Sequence, residues 1–224
     1  QSARFAHGCA CTEKSDEGKG RKRYKNFFHV LIVGFSWQES TGDYSSPMFA
    51  FITRHLPANR ALYATAKDTF EGVLAASRRP AIYLDCAVPD TFDGRFEALL
   101  LHMWPVFRGL GQGGPVADRF AQMLYDVCFI RLEFALRETG VGVLGVPKHV
   151  RRMLSAFYGR REAYEQAATD PSQLSAILRR NLYGTVTDKG FEVPQSMLDY
   201  LQKLAGMTVS LDDMRAARLN YPPL

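Results

Sequence analysis

The chain has 224 residues, a net charge of +5 and a hydrophobic content of 46%. This composition excludes a wholly disordered chain, because disordered segments are poor in apolar residues. Four cysteines are too few for a disulfide scaffold, and no apolar run approaches the ~18 residues of a membrane-spanning helix. The mild positive charge is compatible with an RNA, a membrane surface or an acidic protein as partner, and proves none of them.

Residues 1–47 differ in pattern from the remainder of the chain. They contain polar, glycine-containing patches, a basic run and a single apolar run, and no helical period persists for three turns. A secretory signal fits poorly because twenty residues precede Arg21 in the basic run, and an organellar presequence fits poorly because the segment holds five acidic residues. We therefore expect a low-order N-terminal extension over 1–47, upstream of a natural start at Met48, and a helical domain over 48–224.

From Met48 onward, apolar residues recur at helical spacing, and proline, threonine and aspartate stand at suitable helix starts. No alternating run of strand length recurs. The fold class predicted is all-α, an irregular bundle of about five to seven helices. The predicted helices are Pro57–Ser77, a second one capped by Thr91 and running through Leu110, a third from Pro115 to about Thr139, a fourth from Pro147 to about Thr169, a fifth over Pro171–Tyr183 capped by Asp170, and weaker ones at Pro194–Ala205 and Leu211–Leu219. Residues 78–90 are expected to be irregular.

The chemistry-bearing patterns are incomplete. The run GLGQGG at 109–114 has the spacing of the dinucleotide-binding fingerprint G-x-G-x-x-G. It follows a predicted helix instead of a strand, so a turn between two helices is favoured. Cys9 and Cys11 lack a second ligand pair for zinc. Glu97 and His102 are five residues apart, which places them on different helix faces, and no second such pair completes a di-iron site. We predict no metal, no cofactor and no catalytic site.

Positive charge concentrates in one stretch of the chain. Between 148 and 180 there are seven basic and three acidic residues. A solvated helix face is the simplest interpretation, and a surface for RNA phosphates, anionic lipid or an acidic partner is the alternative. The candidate partner-binding residues are Lys148, Arg151, Arg152, Arg160, Arg161, Arg179 and Arg180.

Three ordered segments resemble the ubiquinol–cytochrome c chaperone family. Residues 78–108 match its opening block through VPDTFDGRF and the pair Leu101–His102. Residues 138–164 match a second block through GVG, VPK and AFYGR, although Val143 stands where the family often has an acidic residue, and residues 178–184, LRRNLYG, match the short ending. The resemblance covers about Asn59–Gly184.

The resemblance implies a non-enzymatic assembly factor of the cytochrome bc1 complex that binds newly made cytochrome b. It also implies action near the ribosomal exit together with a small partner protein. The basic face of the chain would suit either the ribosome or an anionic membrane surface. The expected location is cytoplasmic and peripheral to the inner membrane in a bacterium, with the matrix side of the mitochondrial inner membrane as the alternative. A second reading of function is an adaptor whose basic surface binds ribosomal RNA or anionic membrane without a cytochrome b client.

The motif residues that carry this resemblance are interpreted as structural. Thr91 is expected to cap a helix, Asp93 to lie against the first-turn N–H groups, and Arg95 to pair with a carboxylate. His102 stands between apolar neighbours, so a buried structural histidine is favoured over a functional one. The full set is Pro89, Asp90, Asp93, Gly94, Arg95, Phe96, His102, Tyr158 and Gly159.

Overall fold

The structure is a computed structural model that describes residues 57–142 and 145–224. The expectation of a low-order segment over 1–47, and the boundary at Met48, fall outside these residues. The described residues form an all-helical fold without a strand, which confirms the predicted class. In chain order the helices are α1 (Pro57–Ser77), α2 (Pro80–Leu84), α3 (Phe92–Leu110), α4 (Gly114–Glu138), α5 (Val146–Thr169), a 3-10 turn (Pro171–Gln173), α6 (Leu174–Asn181), α7 (Gln195–Gly206) and α8 (Leu211–Arg215).

The long helices begin and end within a residue or two of their predicted bounds, and the differences lie in the short elements. Helix α2 occupies part of the stretch that was expected to be irregular. Its five residues are too few to show a helical period, although Pro80 stands in the first turn and Ile82 is buried. The predicted fifth helix begins as a 3-10 turn and ends at Asn181, and the predicted last helix stops at Arg215, before Ala217 takes a positive φ of 53°.

Helix α3 is the centre of the bundle. It packs against α1, α4, α5 and α7, and most of its side chains are buried. It continues through Pro105, although proline removes one backbone hydrogen bond from a helix interior. A helix surrounded in this way positions the other elements, so its first turn and its buried polar groups decide how the domain is held together.

One core cluster joins one side of α3 to the C-terminal half of the domain. It contains Leu101 and Trp104 from α3, side chains from α2, the second half of α5, α6 and α7, and it is closed by half-buried residues of the C-terminal tail such as Tyr221. Burial of these apolar side chains stabilises the fold at roughly 25 cal/mol per Å² removed from water.

The other side of α3 faces α1, α4 and the first half of α5. Phe107 of α3 lies 4.4 Å from Tyr125 of α4 and 5.2 Å from Phe157 of α5, measured between ring centroids. The last two rings are 4.9 Å apart and meet edge to face, the arrangement that aromatic quadrupoles favour. This aromatic cluster holds the middle of α5, just after the exposed basic residues of its first two turns.

Candidate partner-binding surface and motif residues

The first turn of α3 is held by the VPDTFDGRF motif. The Thr91 hydroxyl accepts a hydrogen bond from the Gly94 backbone N–H at 3.1 Å, and Asp93 lies in the first turn, both as expected. The Arg95 guanidinium donates to both carboxylate oxygens of Asp90 at 2.5 and 3.1 Å. This pairing lowers the pKa of Asp90. The Asp90–Arg95 pair is more than half exposed, so it contributes little to stability and serves mainly to orient the turn.

Gly94 and Pro89 account for the shape of that turn. A β-carbon at position 94 would overlap the carbonyl oxygen of Pro89, so the backbone approaches the helix more closely than any side chain allows. The same carbonyl accepts a hydrogen bond from the Thr91 N–H at 2.8 Å. Phe96 follows with its ring buried in the core. These motif residues build a tight entry to the central helix.

His102 is fully buried, and both of its ring nitrogens are hydrogen bonded. Nδ1 lies 2.7 Å from the Ala98 carbonyl oxygen and Nε2 lies 2.9 Å from the Tyr200 hydroxyl. A carbonyl oxygen can only accept, so Nδ1 carries the proton and Nε2 accepts from Tyr200. Burial lowers the pKa of His102 to about 4, which keeps the ring neutral near pH 7.

The His102 network extends to the C-terminal tail. Arg79 donates to the Tyr200 hydroxyl and, at 2.9 Å, to the Pro222 carbonyl. The Tyr221 hydroxyl donates to the His102 carbonyl at 2.7 Å, and its ring lies 5.2 Å from the imidazole. A chain of donors and acceptors therefore joins α3, α7 and the residues after α8. The apolar neighbours of His102 in the sequence predicted a structural role for it. They held no signal for Arg79, Tyr200 or Tyr221, which are distant from His102 along the chain or outside any local motif.

The basic residues of the 148–180 stretch divide into two groups. Arg160 donates to both carboxylate oxygens of Glu97 at 2.8 Å, and its side chain is 28% exposed. Arg179 donates to the carbonyls of Tyr183, Val186 and Asp188 and lies over the Phe191 ring, 5.3 Å from its centroid. Both guanidinium groups are therefore used within the fold, joining α5 to α3 and holding the segment after α6.

The remaining cations are exposed, apart from the half-buried Arg161. Lys148, Arg151 and Arg152 lie on the outer face of the first two turns of α5. The Arg152 guanidinium is 3.4 Å from Nδ1 of His149. Arg180 is exposed at the end of α6, 3.4 Å from the Asn181 side-chain oxygen, and Arg161 is half-buried beside Tyr158. Three cations on one helix face thus form the basic surface of α5, which is defined here as Lys148, Arg151 and Arg152.

Tyr158 and Gly159 occupy neighbouring but different environments on α5. Tyr158 is half-buried, and its ring stacks on Tyr125 with centroids 6.0 Å apart. Gly159 is exposed, and a β-carbon there would meet no atom within 4 Å. The first residue therefore packs between α4 and α5, while the second continues the outer face that begins with the basic surface.

Trp104 and Arg108 add two tertiary contacts that no motif indicated. The Trp104 indole N–H donates to the Glu165 carboxylate at 2.8 Å, and the Arg108 guanidinium lies 4.8 Å from the Trp104 ring centroid. Arg108 also donates to the Met207 carbonyl at 2.7 Å, which satisfies the end of α7. Gly109, from the run GLGQGG, lets the Val209 carbonyl approach α3, because a β-carbon there would overlap that oxygen. In the described chain this run joins helix α3 to helix α4, as predicted.

Four large apolar side chains are exposed among the described residues: Leu84 at 79%, Phe134 at 59%, Val116 at 48% and Phe92 at 37%. Val116 and Phe134 lie at the two ends of α4, while Leu84 ends α2 and Phe92 begins α3. Single exposed apolar residues are ordinary on protein surfaces. They are nevertheless the side chains that an apolar client could contact without any rearrangement of the domain.

Across the described ranges, no group of three or more histidine, cysteine, aspartate or glutamate side chains is placed to hold a metal ion. Cys9 and Cys11 fall outside these ranges. None of the described helices combines the length and apolar character needed to cross a membrane.

These features define an all-helical domain that uses its motif residues to fix a central helix and presents basic and apolar side chains on its surface. The family model described as "Ubiquinol-cytochrome C chaperone" matches residues 84–218, more than half of the chain, and the protein belongs to that family. The fold is similar to the crystal structure of the Cbp3 homolog from Brucella abortus, with a TM-score of 0.62 and 28% identity over 79% of this chain and 97% of that chain. No curated protein matches the chain.

Proposed function

We propose that the protein is an assembly factor of the cytochrome bc1 complex and that it binds newly made cytochrome b. The family match over residues 84–218 carries this proposal. The similarity to the Brucella Cbp3 homolog, which spans almost all of that chain, supports it. The helical domain proposed for binding is 48–224, and the matched residues make up most of it.

A chaperone of a membrane protein must cover apolar segments before they reach their final partners. The exposed side chains of Leu84, Phe92, Val116 and Phe134 offer such contacts. Aromatic side chains tend to dominate binding energy at interfaces, because they bury a large area at a small cost in conformational entropy. Phe134, the more exposed of the two phenylalanines, is therefore the first client contact to test.

The domain is proposed to act by binding and not by catalysis. The buried or half-buried titratable groups near α3 are used in packing contacts: His102 bonds to Ala98 and Tyr200, and Glu97 pairs with Arg160. Burial raises the pKa of Glu97 while the Arg160 hydrogen bonds lower it, which is the behaviour of a structural ion pair. These contacts support a scaffold that holds a binding surface.

The test is capture of the full chain from membranes dissolved in mild detergent, with mass spectrometry of the retained proteins. Enrichment of cytochrome b is expected. Phe134→Ser should reduce that enrichment roughly tenfold, as for a moderate interface hot spot. Gln202→Ser on α7, an exposed polar position, is the matched control and should retain the client.

Deletion of the gene gives the second arm. We expect a loss of bc1 complex and of the cytochrome b haem spectrum, with the terminal oxidase unchanged. Normal bc1 abundance after deletion would overturn the proposal. Capture of ribosomes or lipid without cytochrome b, together with normal bc1, would instead support the adaptor that binds ribosomal RNA or anionic membrane.

A further inference from the structure

The basic surface of α5 has no acidic counterpart in the described structure. Lys148, Arg151 and Arg152 are all exposed, and the ion pairs of the described residues involve other cations. The sequence between Glu138 and Glu162 contains five basic residues and no acidic one. Helix α5 also starts without an acidic residue in its first turn, so the partial positive charge of its N-terminus adds to the same sign. This end of the domain therefore attracts anions.

The three cations share the face of α5 that is turned away from the core. In a helix, residues three and four apart share a face, so Lys148, Arg151 and Arg152 lie close together. Val150 is half-buried and shares the opposite face with the buried Val146. The apolar face of α5 is therefore used in packing, and its basic face is the side available to an anionic membrane surface.

The outer face of α5 is also unobstructed beyond the cations. Ser155 and Gly159 follow on that face, both exposed, and a β-carbon at 159 would meet no atom within 4 Å. Among the described residues, therefore, no bulky side chain on this face holds the cations away from a broad, flat partner. A flat surface of phosphates can reach all three cations at once.

A nucleic acid fits this surface less well. Proteins that bind single-stranded RNA track the backbone along an extended basic groove and stack bases on exposed aromatic rings. Lys148 and Arg152 are only about 6 Å apart along the helix axis. The nearest aromatic side chains on the same helix are Phe157, which is buried, and Tyr158, which is half-buried with one face of its ring stacked on Tyr125. The surface is short, and its neighbouring ring is already used in packing.

We propose that the basic surface of α5 docks the domain on a bilayer that bears anionic phospholipids, with Lys148, Arg151 and Arg152 at the headgroup phosphates. This attachment goes beyond the proposed function, because it does not depend on a cytochrome b client. For the chaperone function it would place the domain where a membrane protein emerges.

The experiment measures sedimentation of the full chain with vesicles of phosphatidylcholine and phosphatidylglycerol, and with vesicles of phosphatidylcholine alone. A basic residue near an anionic surface contributes about a fivefold gain in the partition coefficient. The variant Lys148→Gln/Arg151→Gln/Arg152→Gln should therefore bind the anionic vesicles about 100-fold more weakly than the wild type. Binding of the wild type should also fall as salt is raised.

The matched control is Lys67→Gln/Arg119→Gln/Lys189→Gln, which removes the same charge from exposed positions outside α5. It should retain binding to the anionic vesicles. Wild-type binding by the α5 variant, equal losses in both variants, or binding of polyuridylic acid without binding of vesicles would each overturn the proposal. Because vesicle binding is measured without client, its failure leaves the cytochrome b proposal to be judged on its own capture experiment.

Discussion

The two sides of α3 are packed by different kinds of contact. On the side of α7 and the C-terminal tail, buried polar groups bond over long sequence separations, as in the Arg79–Tyr200–His102 network. On the side of α1, α4 and the first half of α5, the contacts around Phe107 and Tyr125 are between apolar and aromatic side chains. The first side needs specific partners, whereas the second needs only apolar residues at helical spacing.

This difference separates the side of α3 whose specific contacts fix the fold from the side whose helices carry the proposed binding surfaces. The polar side immobilises α7 and the tail, because each buried donor or acceptor that loses its partner costs about 1–3 kcal/mol. The aromatic side holds the first half of α5 by non-directional packing, and the exposed cations and Phe134 lie on the same two helices, α5 and α4. The proposed surfaces therefore belong to the side of the domain held by apolar packing.

The largest effect is expected at the aromatic cluster. Phe107→Ala removes a ring that is 3% exposed and contacts both Tyr125 and Phe157. The free energy of unfolding, measured with urea, should fall by about 3–5 kcal/mol. Phe134→Ala is the control, since that ring is 59% exposed and its loss should change stability by no more than about 0.5 kcal/mol. Equal losses of unfolding free energy in the two variants would contradict the distinction between a buried, packed ring at Phe107 and an exposed ring at Phe134.

The free energy of unfolding should depend on pH because of the polar side. The pKa of His102 is about 4 in the folded protein and near 6.5 in the unfolded chain, so between these values the unfolded state binds more protons. The contribution to stability is complete above pH 6.5 and is lost as the pH falls toward 4, by about 3 kcal/mol. Urea unfolding at a series of pH values gives this slope.

The control is His102→Gln, whose free energy of unfolding is measured over the same pH range as that of the wild type. The variant should be less stable at pH 7, because the glutamine amide cannot reproduce both imidazole hydrogen bonds, and it should lose less stability than the wild type between pH 6.5 and 4. The carboxylates with lowered pKa, Asp90, Asp170 and Asp213, titrate below this window and are common to both proteins. Identical slopes in the two proteins would show that His102 is not neutral and buried in the folded state.

A smaller loss of unfolding free energy is expected at the turn that begins α3, the helix that the two sides have in common. Gly94→Ala places a methyl group against the Pro89 carbonyl, so the turn must open or the helix must start later. The cost should be about 1–3 kcal/mol in the free energy of unfolding, which is typical of overpacking. Thr91→Ala provides a comparison at the same turn, because it removes one N-cap hydrogen bond and should cost about 1 kcal/mol. A neutral Gly94→Ala would mean that the turn is looser than the close Pro89 approach indicates.

The sequence predicted the apolar side better than the polar side, for a physical reason. Helical spacing placed α1, α3, α4 and α5 nearly residue for residue. Gly140 follows the end of α4 with a φ of 84°, a conformation that glycine adopts readily after a helix. Local rules also predicted the Thr91 cap and a carboxylate partner for Arg95, which the structure identifies as Asp90, five residues away. These features depend on neighbours along the chain, which a single sequence displays.

The contacts that join distant segments were not predictable in this way. Tyr200 is 98 residues from His102, and the Arg160–Glu97 pair spans 63 residues. Counting charge along the chain placed Arg160 and Arg179 with the exposed cations, because composition does not show which guanidinium meets a carboxylate or a row of carbonyls in the folded state. The basic surface of α5 could be separated from them only once the tertiary contacts were known.

The smallest effect, with the opposite sign, is expected at Gly159. Glycine in a helix interior costs about 0.5–1 kcal/mol relative to alanine, and here no atom lies within 4 Å of the added β-carbon. Gly159→Ala should therefore raise the free energy of unfolding by about that amount, whereas Gly94→Ala lowers it. Urea unfolding of both variants at pH 7 measures the contrast. A loss of stability at position 159 would mean that part of the chain covers this face of α5 in solution, and that the face is not open to a bilayer.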